Sequence, residues 1–91
     1  MTKIAGIYKI DGDHAAEMIH EVGAALANAD GELQLDLSNL FRLDTSGLRA
    51  IEELAAKAEE KSVKVLLHGV NVGVYKVLKL SRLTSRFAFV N

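Results

Sequence analysis

Two hydrophobic periods alternate along this chain, and that alternation limits the folds open to it more than any other feature. Leu33-Gln34-Leu35-Asp36-Leu37 alternates strictly, as a strand with one dry and one wet face must, because successive side chains leave a strand on opposite sides. The segments around it follow helical steps. From His14 to about Asn28, Ala15, Met18, Ile19, Val22 and Leu26 recur every three or four residues, which predicts a helix. Asp13 stands at its start as an N-cap, and Asp30-Gly31 closes it. A loop, Ser38–Leu43, leads to a second helix that begins near Asp44–Ser46 and runs to about Lys61, with Leu48, Ile51, Leu54, Ala55 and Ala58 facing inward. On it, Glu53 and Lys57 are four apart in the favourable order, a support of a few tenths of a kcal/mol.

Lys3–Ile10 is β-branched and aromatic and stops at the turn cluster Asp11-Gly12-Asp13, so it reads as a first strand. Val63–His68 reads as another, with Val63, Val65 and Leu67 on one side, Lys64 and His68 on the other, and Gly69 as breaker. Asn71 can cap a third helix carrying Val74, Val77 and Leu78, and Phe87–Val90 adds a last short strand. The order β-α-β-α-β-α-β calls for a largely parallel sheet with right-handed crossovers. A sheet covered on both faces has near-continuous apolar strands. Gln34 and Asp36 break that rule, so the prediction is a two-layer α/β domain with helices on one face of a mainly parallel, four-stranded sheet.

Length and composition exclude several functions. Ninety-one residues make one domain, spanning 1–91, with one modest core. Eleven Lys and Arg against twelve Asp and Glu leave a charge of -1, and no basic block offers a phosphate-backbone footprint, which argues against nucleic-acid binding. No cysteine is present, which removes disulfides, thiolate metal sites and thiol nucleophiles. No apolar run is long enough for a membrane span, and no signal-peptide core is seen, so a cytoplasmic protein without membrane insertion is expected. Neither G-x-G-x-x-G nor a Walker A loop occurs, which leaves no nucleotide crevice of the Rossmann kind. His14, Glu17 and His20 share a broad helix face but lack the i, i+4 histidine pair of a zinc helix, and they read as a solvated face. Ser46 with a histidine and an aspartate could be written as a triad, yet G-x-S-x-G is missing. Hydrolase chemistry is not expected, and no metal or cofactor is implied.

What remains is Asp44-Thr45-Ser46-Gly47-Leu48, opening a helix after an alternating strand and a short apolar loop. A helix start presents unpaired N–H groups and a partial positive charge. A hydroxyl there can accept a phosphate, about -1.5 to -2 charges, at little cost to the fold. Asp44 beside it sharpens the change in potential, and Gly47, with no side chain, would let another protein's backbone approach. Asp-Thr-Ser is equally ordinary N-cap material, and a cap residue can also be an acceptor.

The run in this strand–loop–helix setting resembles the signature of the STAS domains of anti-sigma factor antagonists, Asp-Ser/Thr-Ser/Thr-Gly-Leu/Val. Val72–Phe89 (VGVYKVLKLSRLTSRFAF) resembles the family's third helix and the segment after it. The resemblance covers roughly Asp11 to Asn91. It implies a binding module that catalyses nothing, engages an anti-sigma factor of the histidine-kinase-like ATPase type, and is switched off when that kinase phosphorylates Thr45, with Ser46 as second choice. It also implies that this loop and the second helix contact the partner. The loop's own residues read in two ways: Leu40 and Leu43 plug the sheet edge, and Phe41, with Arg42 and Arg49 nearby, forms an apolar anchor in a protein interface. Asp11 and Asp13 should lie near the motif, as turn and cap or as contacts to the same partner. Small STAS proteins with a similar motif imply an alternative partner, the ATPase of a phospholipid-trafficking ABC transporter. Three departures stand out: one N-terminal strand where the family has two; Arg82 where relatives carry glycine after the third helix, so that this helix is expected to run on or stop differently; and threonine as the acceptor.

Overall fold

A computed structural model describes residues 7–26 and 31–90. The elements are β1 (Ile7–Lys9), α1 (Ala15–Ala25), β2 (Glu32–Asp36), α2 (Thr45–Glu60), β3 (Lys64–His68), α3 (Val72–Leu80) and β4 (Ala88–Val90), with 3-10 turns at Gly12–His14 and Thr84–Arg86. All three strand pairings are parallel, in the spatial order β1-β2-β3-β4. Each crossover therefore steps the same way, and right-handed connections put every helix on the same side of the sheet. Burial agrees. Leu33, Leu35, Val65 and Leu67 are buried beneath the helices, whereas Gln34, Asp36, Leu66 and His68 on the other side are only partly covered.

The core forms where the two periods meet. Ile19, Val22 and Leu26 of the first helical segment and Ile51, Leu54 and Ala55 of α2 close over the strand leucines, with Val74, Leu78 and Leu83 completing the α3 end. Fully burying a leucine or isoleucine is worth about 1.5–3 kcal/mol, and these contacts carry the two-layer architecture.

Several local expectations need correction. The cap of the first helical segment is Asp11, not Asp13: an Asp11 Oδ1 accepts from the Asp13 N–H at 3.2 Å and opens the 3-10 turn, while His14 precedes α1 without a side-chain cap. Glu53 does not pair along α2 with Lys57; it reaches across to His20 on α1, 3.6 Å away. The expected first strand is seen only from Ile7, and Lys3 to Gly6, like the expected helix end at Asn28 and the stop at Asp30, lies outside the described residues.

Arg82 does not let the third helix run on. It takes a left-handed conformation, φ 61°, with its N–H on the Lys79 carbonyl and the Leu83 N–H on the Leu78 carbonyl. This is the termination that glycine ordinarily supplies after a helix. Ser62 does the same after α2, at φ 56°.

Candidate functional site

The β2–α2 connection places the motif at the rim of the sheet. Leu40 is buried and Leu43 packs against the core, so these two pin the loop down, as expected of plugs at the sheet edge. Phe41, between them, must point outward and is 73% exposed. Asp44 then caps α2: its Oδ1 accepts from the Gly47 N–H at 2.8 Å, and the Leu48 N–H closes the first helical bond on the Asp44 carbonyl at 2.8 Å. Thr45 and Ser46 are the first two residues of α2, and both are exposed. Their N–H groups point out of the helix start, where no intrahelical partner exists. Among the described residues, nothing hydrogen-bonds the Thr45 hydroxyl.

The reading of Gly47 changes. It is buried, and a Cβ built there would lie 2.9 Å from Leu43 Cδ1 and 3.3 Å from the capping Asp44 Oδ1. The space that a partner's backbone was expected to use is filled by the chain's own Leu43. Gly47 fits loop to helix and offers nothing outward.

Other predicted residues do converge. A groove of about 370 Å³ is lined by Gly12, Asp13, Ala15, Phe41, Arg42, Leu43 and Asp44. A second, of about 280 Å³, continues from Asp13 past Asp44 to Ser46 and Glu17. The turn before α1 and the loop before α2 thus share one surface, with Asp13 and Asp44 on its acidic side, Arg42 as its cation and Phe41 as its apolar projection. Asp11 serves the turn and lines neither groove; Arg49, exposed on α2, lines neither either. His14 stands 3.4 Å from Glu17, while His20 turns to Glu53, so the two imidazoles face different carboxylates.

Asp36, at the end of β2, is held below the ordinary carboxylate range. The Ser38 hydroxyl donates to Asp36 Oδ1 at 2.6 Å, the Ser38 N–H donates at 2.9 Å, and Lys9 and His68 add smaller electrostatic contributions. Next to Asp36, His68 Nε2 and Gln34 Oε1 lie 2.7 Å apart on the open sheet face. The polar row orders the strand ends behind the loop.

Sequence reasoning missed one feature. Asn71 does more than cap α3: its Oδ1 accepts from the Val74 N–H at 2.8 Å, while its Nδ2 donates to the carbonyls of Leu40 and Phe41, both at 3.2 Å. It ties the α3 start to the loop that carries Phe41. Beside it an apolar groove of about 250 Å³ is lined by Leu67, Val70, Val72, Tyr75, Phe89 and Val90. Its signal lay in the sequence as apolar residues on the wet side of a helix, Val72, Tyr75 and Leu80 interleaved with lysines.

With this geometry in hand, comparison with known proteins is informative. The sequence model of a family described as "Mlab, STAS domain" matches residues 4–90. Among solved structures, one of a Thermotoga maritima protein assigned as an anti-sigma factor antagonist superposes with a TM-score of 0.73 at 19% identity, covering 92% of this chain and 73% of that one. At that identity the likeness speaks for the fold. The comparison with curated proteins gave no match.

Proposed function

The chain belongs to the STAS-domain family, and from that premise we propose that it is a regulatory binding module of the anti-sigma factor antagonist type. The unmodified domain engages a histidine-kinase-like ATPase that acts as the anti-sigma factor, through Phe41, Arg42, Asp13 and the start of α2. Phosphorylation ends the interaction: Thr45 Oγ1 takes the γ-phosphoryl group of ATP, ADP leaves, and the hydroxyl proton passes to a base on the kinase. The protein is the substrate of this reaction and catalyses nothing itself.

The observation that supports this most is exposed Thr45 at the first position of α2, four residues after exposed Phe41. The fold tolerates a phosphate there because the helix start carries a partial positive charge worth about 0.3–1 kcal/mol to an anion. The partner does not, because a dianion arrives next to Asp44, which together with Asp13 lines the neighbouring grooves. Intact-mass measurement after incubation with ATP and the kinase encoded beside this gene tests the reading. One added phosphate, lost in Thr45→Ala, is the expected result; an unmodified wild type overturns it. Thr45→Asp should weaken binding at least tenfold, about 1.4 kcal/mol, with an unchanged far-UV CD spectrum.

The matching family is named for Mlab and not for an anti-sigma factor antagonist, which supports a second reading. The same corner docks on the ATPase of a phospholipid-trafficking ABC transporter, and the Thr45 hydroxyl is a contact that carries no phosphate. Pull-down of an ABC ATPase by wild type, lost in Thr45→Ala with no mass gain, separates this reading from the first.

A further inference from the structure

Charge is divided along this chain in a way that its net value conceals. All twelve acidic residues precede position 61, while six of the eleven lysines and arginines follow Glu60. The last third of the chain is therefore purely basic, and α3 is its centre. Lys76, Lys79 and Arg82 are exposed, and among the described residues none of them pairs with a carboxylate. The same helix face shows apolar surface to solvent: Val72 is 71% and Leu80 85% exposed. Residues four apart share a helix face, so Lys76 stands over Val72, and Lys79 over Tyr75.

From these observations we propose that the α3 groove is a docking site for an acidic peptide segment of a protein partner, anchored by one large apolar side chain. The groove sets the size of the anchor. At about 250 Å³ it is smaller than the roughly 300–1,000 Å³ of a small-molecule site, and it fits a phenylalanine or leucine. Tyr75 and Phe89 meet edge to face, centroids 5.3 Å apart and planes at 70°, and form its aromatic wall. An apolar anchor in a pocket, with cations one helical turn from its wall, is an arrangement in which a few residues can dominate a protein interface. The concave floor favours an inserted side chain over a flat lipid surface. Unpaired Lys76, Lys79 and Arg82 supply the complementary charge, which governs association rate and partner choice. The site stands apart from the Thr45 surface, and Asn71 ties its helix to the loop that carries Phe41.

The test titrates the isotope-labelled full chain, at physiological salt, with a synthetic peptide of glutamates flanking one central phenylalanine, read by amide chemical shifts. Saturable shifts at Val70, Val72, Tyr75 and Val90 are expected. The Lys76→Glu, Lys79→Glu double variant, altered only at exposed positions, should bind about tenfold more weakly, and a serine in place of the peptide's phenylalanine should abolish binding. Thr45→Asp should bind the peptide like wild type, which keeps this proposal separate from the phosphorylation reading. Absence of saturable shifts, or equal affinity for the charge-reversed variant, overturns it. Sedimentation with phosphatidylglycerol vesicles without peptide binding also overturns it and makes α3 a lipid-contact face.

Discussion

The starts of α2 and α3 are the same device built twice and put to different use. Asp44 and Asn71 have nearly the same backbone angles, φ -86° and ψ -179° against φ -83° and ψ 171°. Each side chain accepts from the N–H three residues on, at 2.8 Å. The next two residues differ: Thr45-Ser46 puts hydroxyls beside a carboxylate, and Val72-Gly73 puts an apolar surface beside a neutral amide. Cap geometry therefore says where a helix begins and nothing about what it recognises. The residues one and two places further on decide that.

The largest expected effect comes from the glycine before each cap or within it. Gly69 sits at φ +69°, and a Cβ there would lie 2.8 Å from Ser38 Cβ. Gly69→Ala combines a left-handed penalty of about 1–2 kcal/mol with overpacking of about 1–3 kcal/mol, so a loss of about 3 kcal/mol is expected in urea denaturation. Gly47→Ala meets the movable end of Leu43 at 2.9 Å and the capping Asp44 Oδ1 at 3.3 Å. Alanine's helix propensity, about 1 kcal/mol better than glycine's, offsets much of that crowding, so the net cost should stay below about 1 kcal/mol. Equal losses would mean that the two junctions are equally constrained.

The caps should rank next. Asp44→Ala removes one capping bond, about 1 kcal/mol. Asn71→Ala also strips the Leu40 and Phe41 carbonyls of their donor, so it should cost about 2 kcal/mol. Asn71→Asp, which keeps the cap oxygen and loses the donor, should fall between the two in thermal melts. The far ends of both helices offer a gain: Arg82→Gly and Ser62→Gly relieve left-handed backbone and should each stabilise by about 1 kcal/mol.

The smallest effect is a matter of pH. Because the folded protein depresses the Asp36 pKa, its stabilisation is present above the ordinary carboxylate value near 4 and is lost as pH falls through the depressed one. Ser38→Ala removes the main cause. The stability gap between variant and wild type should exist at neutral pH and close in acid below about pH 4. A gap that persists in acid would assign Ser38 a packing role against Gly69 instead.

Periodicity made the layers legible, because Leu33, Leu35 and Leu37 against Gln34 and Asp36 state which face of the sheet is covered. The weighing of the loop's apolar residues placed Phe41 outside and Leu40 inside, since the loop has to bury something to hold its position. What escaped was set by contacts distant in sequence. Asn71 announces a cap locally, but its bonds to Leu40 and Phe41 span about thirty residues and follow only once β2 and β3 lie side by side. Gly47 was misread for the same reason: whether a bare Cα is open to a partner depends on where Leu43 folds. Arg82 misled because a left-handed helix stop prefers glycine without requiring it.

Among the described residues, the strand order of this sheet never reverses. Ligand crevices in open parallel sheets form at a switch point, where neighbouring connections depart to opposite sides and leave a cleft between them. A sheet that runs β1 to β4 in one direction has no such parting, and its rim remains a row of shallow knobs and dimples. Discrimination by such a rim falls to an opposing surface large enough to touch several of them at once.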